Sequence, residues 1–185
     1  AEQALAELDP APLPPASRAV YELIAAGLAT RQLRTRAARI ALDRAAYAAR
    51  QANIPELNAE VEHASQALAR PVARLVAHGE GRLLRLEDVE ALETAGRLIV
   101  DACRFVLRAK RKVVPLARRP ILFTLLRALA EAWPNDVPRG TLVTRAFRAK
   151  QADESHRARL RVEIGRLRKI LGEFAQVHAT PDGFV

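Results

Sequence analysis

The first half of the chain has the hydrophobic spacing of helices. Apolar residues recur every three or four positions, which places them on one side of a helix. This spacing predicts helices over residues 17–28, 30–52 and 56–78, with Ser17 as an N-cap and a kink at Pro71. The predicted inward faces are Val20, Leu23, Ile24 and Leu28, then Leu33, Ala37, Ile40, Ala41, Ala45 and Ala48, then Leu57, Val61, Ala64, Leu68, Val72 and Leu75.

These helices predict an N-terminal module over residues 17–80. Residues 1–16 end in a run of prolines and are expected to form a linker or an irregular lead-in. The alanine-rich antiparallel pairs resemble tetratricopeptide-like helical hairpins in their packing, although no repeat of about 34 residues is present. We therefore expect a helical bundle of hairpins.

The second half mixes the spacings of strands and helices. A turn is expected at residues 108–111, and the turn sequence Pro181-Asp182-Gly183 lies near the end of the chain. Strands are predicted over residues 82–86, 98–100, 103–107, 112–116, 174–180 and 184–185, and helices over residues 87–95, 120–133, 138–147 and 155–171.

The last of these helices carries a concentration of positive charge. Ser155 is its expected N-cap and Gly172 its expected end. Leu160, Ile164, Leu167 and Leu171 form one apolar stripe, so the basic residues are expected to point outward or lie on its flanks. Such a helix suits the DNA major groove, while a solvated basic helix packed on its own domain is the alternative. The candidate DNA-binding residues are Arg157, Arg159, Arg161, Arg166, Arg168 and Lys169.

Charge is unevenly divided along the chain. Residues 1–102 hold 12 basic and 14 acidic side chains, whereas residues 103–185 hold 18 and 7. This asymmetry indicates a polyanionic partner, for which double-stranded DNA is the leading candidate and an anionic membrane the second. Aromatic residues are few, and we expect no contact with a membrane.

Other chemistry is sparse in this sequence. The four histidines are scattered, no Gly-rich phosphate loop or nucleophile–base motif is present, and no run of 18 apolar residues occurs. We therefore expect no enzyme activity, no catalytic residues, no metal and no cofactor. The single Cys103 predicts a small buried apolar group and fits a cytoplasmic location. Methionine is absent even at position 1, which predicts a fragment of a longer protein.

Four short motifs mark the C-terminal part of the chain: Arg119-Pro120 with Leu125-Leu126, Val137-Pro138-Arg139 with Leu142 and Phe147, Ile164-Gly-Arg-Leu-Arg-Lys-Ile-Leu171, and Gly183-Phe184. With these motifs, about residues 82–185 resemble the winged helix-turn-helix DNA-binding domain of OmpR/PhoB-type response regulators. Gly165, Glu163 and Thr180 depart from the family pattern; Thr180 lies where the wing often carries arginine.

The resemblance implies that Arg166 and Arg168 contact DNA, with Arg166 reading a base. It also implies RNA polymerase as a further partner, through the loop at residues 148–154. The sequence thus predicts a mainly α fold with small β elements, in which a helical bundle precedes a winged helix-turn-helix domain. The predicted function is sequence-specific regulation of transcription. A protein–protein interaction module that uses its winged helix without binding DNA is the alternative, and a homodimer or a protein partner bound through the N-terminal helices stays open.

Overall fold

The protein is mainly helical, with seven helices and short antiparallel strands in the part of the chain that the structure describes. By clustering of contacts it divides into two compact units, residues 1–74 with 83–92 and residues 75–82 with 93–185. The computed structural model describes residue 5 and residues 7–109, 112–149, 153–172 and 174–185.

Three helices form most of the first unit: α1 (Pro15–Arg31), α2 (Thr35–Ala52) and α3 (Pro55–Ala69). The predicted start at Ser17 is wrong, because Pro15 already occupies the first turn of α1, where its missing N–H costs no hydrogen bond. The predicted lead-in falls partly on residues 1–4 and residue 6, which lie outside the described residues.

The third predicted helix is too long. α3 ends at Ala69, and Arg70 adopts an extended backbone because the following Pro71 disfavours the helical conformation. Instead of a kinked helix, the chain forms β1 (Ala73–Ala77), which pairs with β2 (Glu80–Leu84). The intervening His78 and Gly79 have positive φ angles, as a two-residue hairpin turn requires.

The inward faces of α1 and α2 consist mainly of alanine. Val20 and Ile24 were predicted to be inward but are 45% and 49% exposed, and Ile40 on α2 is 43% exposed. Small side chains let two helix backbones approach closely, so the alanine face rather than the bulkier one packs. The buried alanines of these helices are Ala19, Ala26, Ala29, Ala38, Ala41, Ala45, Ala48 and Ala49.

Residues 83–92 complete the first unit and include most of α4 (Leu86–Thr94). Glu90 accepts hydrogen bonds from the hydroxyl and the N–H of Thr35, at the start of α2. These two bonds hold the pKa of Glu90 below its usual value. Glu87 forms an ion pair with Arg39 at 2.6 Å, so these acidic side chains attach to α2.

The second unit begins with a three-stranded antiparallel sheet in the order β3 (Ile99–Asp101), β4 (Val106–Ala109), β5 (Lys112–Pro115). Leu107 on the central strand is buried and lies opposite Val114. Of the turn predicted at residues 108–111, the first two residues belong to β4, and residues 110–111 lie outside the described residues.

Three helices follow the sheet: α5 (Pro120–Ala132), α6 (Arg139–Phe147) and α7 (Glu154–Leu171). Each contacts the other two, and their apolar faces close one core. The largest fully buried side chains of this unit are Leu107, Leu116, Leu125, Leu142, Val143, Leu160, Ile164, Leu167 and Leu171.

The end of the chain pairs with a segment between α5 and α6. β7 (Gly183–Phe184) runs antiparallel to β6 (Val137–Pro138). A Cβ atom on Gly183 would lie 1.9 Å from the carbonyl oxygen of Val137, so only glycine fits there. The strand predicted over residues 174–180 does not form; its end contributes one bridge, from Ala179 to Phe184.

Candidate nucleic-acid interface

The basic helix α7 begins with a capping aspartate. Asp153 Oδ1 accepts a hydrogen bond from the N–H of His156 at 2.8 Å and lies 2.6 Å from the ring Nδ1 of the same residue. These contacts hold the pKa of Asp153 below its usual value, since they stabilise the ionised carboxylate. The predicted N-cap Ser155 lies inside the helix, because the earlier aspartate already satisfies the N–H of the third helical residue.

One face of α7 closes the core of the second unit. Leu160, Ile164, Leu167 and Leu171 are each at most 2% exposed, which confirms the apolar stripe predicted from their spacing. Because this face fixes the rotation of the helix, the positions of the remaining side chains follow from it. Gly172 ends the helix, as predicted.

All six candidate DNA-binding side chains are exposed on α7. The structure describes each of them, and none is drawn into the core. At about 100° per residue they fall into two groups on either side of the helix, with Lys169 directly opposite the core. One group holds Arg159 and Arg166, and the other holds Arg157, Arg161 and Arg168.

Two carboxylates on the same helix engage three of the arginines. Glu154 lies 3.0 Å from Arg161 and 3.8 Å from Arg157. Glu163 is buried and accepts a hydrogen bond from Nη1 of Arg166 at 2.8 Å. An exposed carboxylate on this helix would repel phosphates, but the Glu163 carboxylate is buried and bonds Arg166.

The other candidate cations differ in how they are held. The guanidinium of Arg159 stacks over the Phe147 ring at 4.6 Å, and Nε of Arg168 donates to the carbonyl oxygen of Val177 at 2.8 Å. The Lys169 side chain makes no hydrogen bond or ion pair within the described residues. Most of the arginines are therefore oriented before any ligand arrives, whereas the Lys169 ammonium stays available.

Small side chains occupy most of the surface opposite the core. We call this row the outward strip: Ser155, Ala158, Val162, Gly165 and Lys169, at spacings of three and four. Val162 is 54% exposed, and a Cβ atom on Gly165 would meet nothing within 4 Å. The strip is therefore a low surface with arginines along both sides.

The wing-like end of the chain is held by Arg139 at the start of α6. Its guanidinium donates to the carbonyl oxygens of Pro181 at 2.6 Å and Thr180 at 2.8 Å. The Thr180 hydroxyl donates to Asp136 at 2.6 Å and accepts from the N–H of Gly183 at 2.8 Å. The Thr180 side chain thus supports the turn at residues 181–183.

A basic groove lies beside α7 at the start of α5. It has a volume of about 550 Å³, and its lining includes Arg118, Arg119, Glu163, Arg166 and Lys169. The candidate residues chosen from the sequence omitted the first two, although two consecutive arginines before Pro120 were a visible signal. Their distance along the chain from the basic helix concealed that they meet it in space.

Metal-binding and thiol chemistry is sparse among the described residues. Among the described residues, no group of three or more His, Cys, Asp or Glu side chains could hold a metal ion. Cys103 is exposed, so the prediction of a buried thiol is wrong. It lies in a turn, where its backbone N–H donates a hydrogen bond to the Asp101 carboxylate. No helix in the described part of the chain has the length and apolarity to cross a membrane.

No protein-family model, curated protein or solved structure matches this chain.

Proposed function

We propose that the protein is a sequence-specific double-stranded DNA-binding regulator of transcription. One observation carries the proposal: α7 seals the core with one face and exposes six cationic side chains around the rest. A helix fits the major groove, where arginine forms paired hydrogen bonds with guanine. Here α7 enters that groove by its outward strip.

With α7 in the major groove, the two groups of arginines would face the two opposite walls of that groove. Because the outward strip carries short side chains at four of its five positions, the helix axis can approach the base edges closely. Arg166 on one side reads a base, and Arg161 on the other binds a phosphate of the opposite strand. Phosphate contacts fix the register of the helix, while base contacts supply specificity.

We also propose that the second unit is a winged helix-turn-helix of the OmpR/PhoB type. The order of α5, α6 and α7 supports this, as does the pairing of β7 with β6 between the first two helices. Transcriptional regulation and a contact with RNA polymerase through residues 148–154 rest on the same resemblance, and a cytoplasmic location rests on the single cysteine. Residues 150–152 of that loop lie outside the described residues.

The alternative function is a protein–protein interaction module that does not bind DNA. One observation favours it: Glu154 and Glu163 form ion pairs with three of the six cations. A helix whose charge is partly neutralised attracts phosphates less strongly. An acidic protein surface would then be the better partner.

Selection of bound sites from random duplex DNA, followed by a salt titration, tests the proposal. We expect one sequence family to be enriched, and the logarithm of affinity to fall steeply with the logarithm of salt concentration. The variant Arg159→Gln/Arg161→Gln should bind less tightly than Arg36→Gln/Arg50→Gln, which loses the same charge from α2. Absence of enrichment, with no salt-dependent retention of DNA, would instead support the interaction module.

A further inference from the structure

The groove at the start of α5 gathers positive charge from two separate parts of the chain. Arg118 and Arg119 precede α5 and line one side, while Arg166 and Lys169 line the other from α7. We propose that this groove binds a phosphate of the DNA backbone beside the bases that α7 reads. This inference rests on the proposed DNA-binding function and assigns a second contact to it.

Three of the four cations that line the groove have a larger share of their donors free than Arg157 and Arg161 at the start of α7. Arg118 and Arg119 are exposed, and within the described residues their side chains make no hydrogen bond or ion pair. Lys169 is equally unengaged, whereas Arg157 and Arg161 already face Glu154. A guanidinium with all five donors free matches the oxygens of a phosphate well.

The charge of the groove favours an anion. Four cationic side chains line it, against the single carboxylate of Glu163. That carboxylate is buried and bonds Arg166 at 2.8 Å, so it offsets the cation nearest to it and leaves the other three uncompensated. A phosphate that entered would meet Arg118, Arg119 and Lys169.

The position of the groove points to the backbone of the same duplex. Lys169 belongs both to the outward strip and to the lining of the groove. DNA that lies along the outward strip therefore passes the mouth of the groove. Arg166 also borders both, so a base contact and a phosphate contact would be neighbours on one strand.

The variant Arg118→Gln/Arg119→Gln tests this phosphate site in the full chain. We expect its affinity to fall by the same factor for the selected duplex and for an unrelated duplex of equal length, with base preference unchanged. The slope of log affinity against log salt should shrink by about 1, because one phosphate contact is lost. The matched control Arg36→Gln/Arg50→Gln loses equal charge and should retain the wild-type slope.

Ethylation of single DNA phosphates locates the contact. One backbone position should interfere with binding of the wild type and cease to interfere with the groove variant. An unchanged slope, or a changed base preference, would overturn the phosphate site and leave the proposed function standing. A wild-type protein that binds no duplex would overturn both. If thermal denaturation shows that the double variant is unfolded, Lys169→Gln alone should reduce the slope by about 1, and no reduction would reject the site.

Discussion

Glu163 and Arg166 form a pair in which one side chain is buried and the other reaches solvent. The Glu163 carboxylate lies in the protein and bonds one nitrogen of a guanidinium that is 62% exposed. Because one donor of Arg166 is held by Glu163, the directions of its other donors are restricted in the free protein. For the base contact that we propose, a side chain fixed in this way loses less conformational entropy on binding.

Two substitutions of Arg166 distinguish its recognition of a base from the effect of its positive charge on affinity. Arg166→Ala should cost about 1–3 kcal/mol of affinity for the selected site and relax preference at one base pair. Arg166→Lys keeps the charge but not the planar fork, so it should lose base preference and retain affinity for unrelated duplex DNA. Site selection with each variant measures both effects.

Thermal denaturation must accompany these measurements, because Arg166→Ala leaves the buried Glu163 carboxylate without its partner. The double variant Arg166→Ala/Glu163→Gln removes that unpaired charge. If the wild-type base preference persisted in both folded variants, Arg166 would not be a reader.

At the scale of elements, apolar spacing predicted which helices form better than which faces they bury. On α7 the bulky residues share one stripe with polar residues around it, so period and burial agree. On α1 the face that contains Ala19 and Ala26 is buried, whereas the bulkier Val20 and Ile24 on another face are exposed. The spacing of apolar residues does not show whether a helix buries its bulky side chains or a face of small ones that lets two backbones approach closely.

The candidate site shows the same limit. The six cations of α7 were predicted from one continuous helix, and the structure exposes all six. Arg118 and Arg119 lie more than 40 residues before the end of that helix, so only the folded chain brings them beside Lys169. Glu163 lies three residues after Leu160 and four before Leu167, so helical spacing places it beside the apolar stripe, whereas Glu154 precedes the stripe and is exposed.

Glu22 is a buried carboxylate on the inward face of α1. Its nearest charge is Arg44 Nη1 on α2, at 4.0 Å from the carboxylate. Burial raises the pKa of Glu22 above its usual 4.5, and the attraction of Arg44 only partly opposes this. Between 4.5 and the raised value the folded protein binds more protons than the unfolded chain, so stability falls as pH rises through this window.

The variant Glu22→Gln should therefore be more stable than the wild type at neutral pH. A neutral amide of the same size removes the cost of ionising the buried group. The increase in melting temperature should disappear below about pH 4, where Glu22 is protonated in both states. Thermal denaturation from pH 3 to pH 7 checks this, with the exposed Glu60→Gln on α3 as control. A loss of stability at neutral pH would mean that the pair with Arg44 outweighs burial.

At the scale of the whole molecule, charge is segregated between the two units. Residues 75–82 and 93–185 carry 20 basic and 10 acidic side chains, whereas the first unit carries 10 and 11. A single recognition helix covers few base pairs, and such domains gain affinity when two copies bind paired half-sites. A nearly neutral first unit would suit association of two basic molecules, because it adds little repulsion.

A homodimer through the N-terminal helices is therefore our expectation for the intact protein. Of the predicted inward faces of α2 and α3, Ala41, Ala45, Ala48, Leu57 and Val61 are buried within the first unit, whereas Ile40 is 43% exposed. Val20 and Ile24 form an exposed row on α1, and we expect the dimer contact there. Light scattering at micromolar concentration should give about twice the mass of one chain.

The variant Ile24→Glu should then yield folded monomers, while Ile54→Glu, which changes an exposed residue outside that row, should leave the dimer intact. Monomers of the wild type at every concentration, with and without DNA, would assign the N-terminal helices to another partner or to a structural role.

The close approach of Gly183 to Val137 has a consequence for how this chain can evolve. A change in either of the first two bases of a glycine codon introduces a side chain or a stop, and the strand pair has no room for one. Gly165 on the outward strip has open space around it, so the fold itself would accept other residues there. One glycine is thus fixed by the fold, while the other is constrained only by the close approach to DNA that we propose for the outward strip.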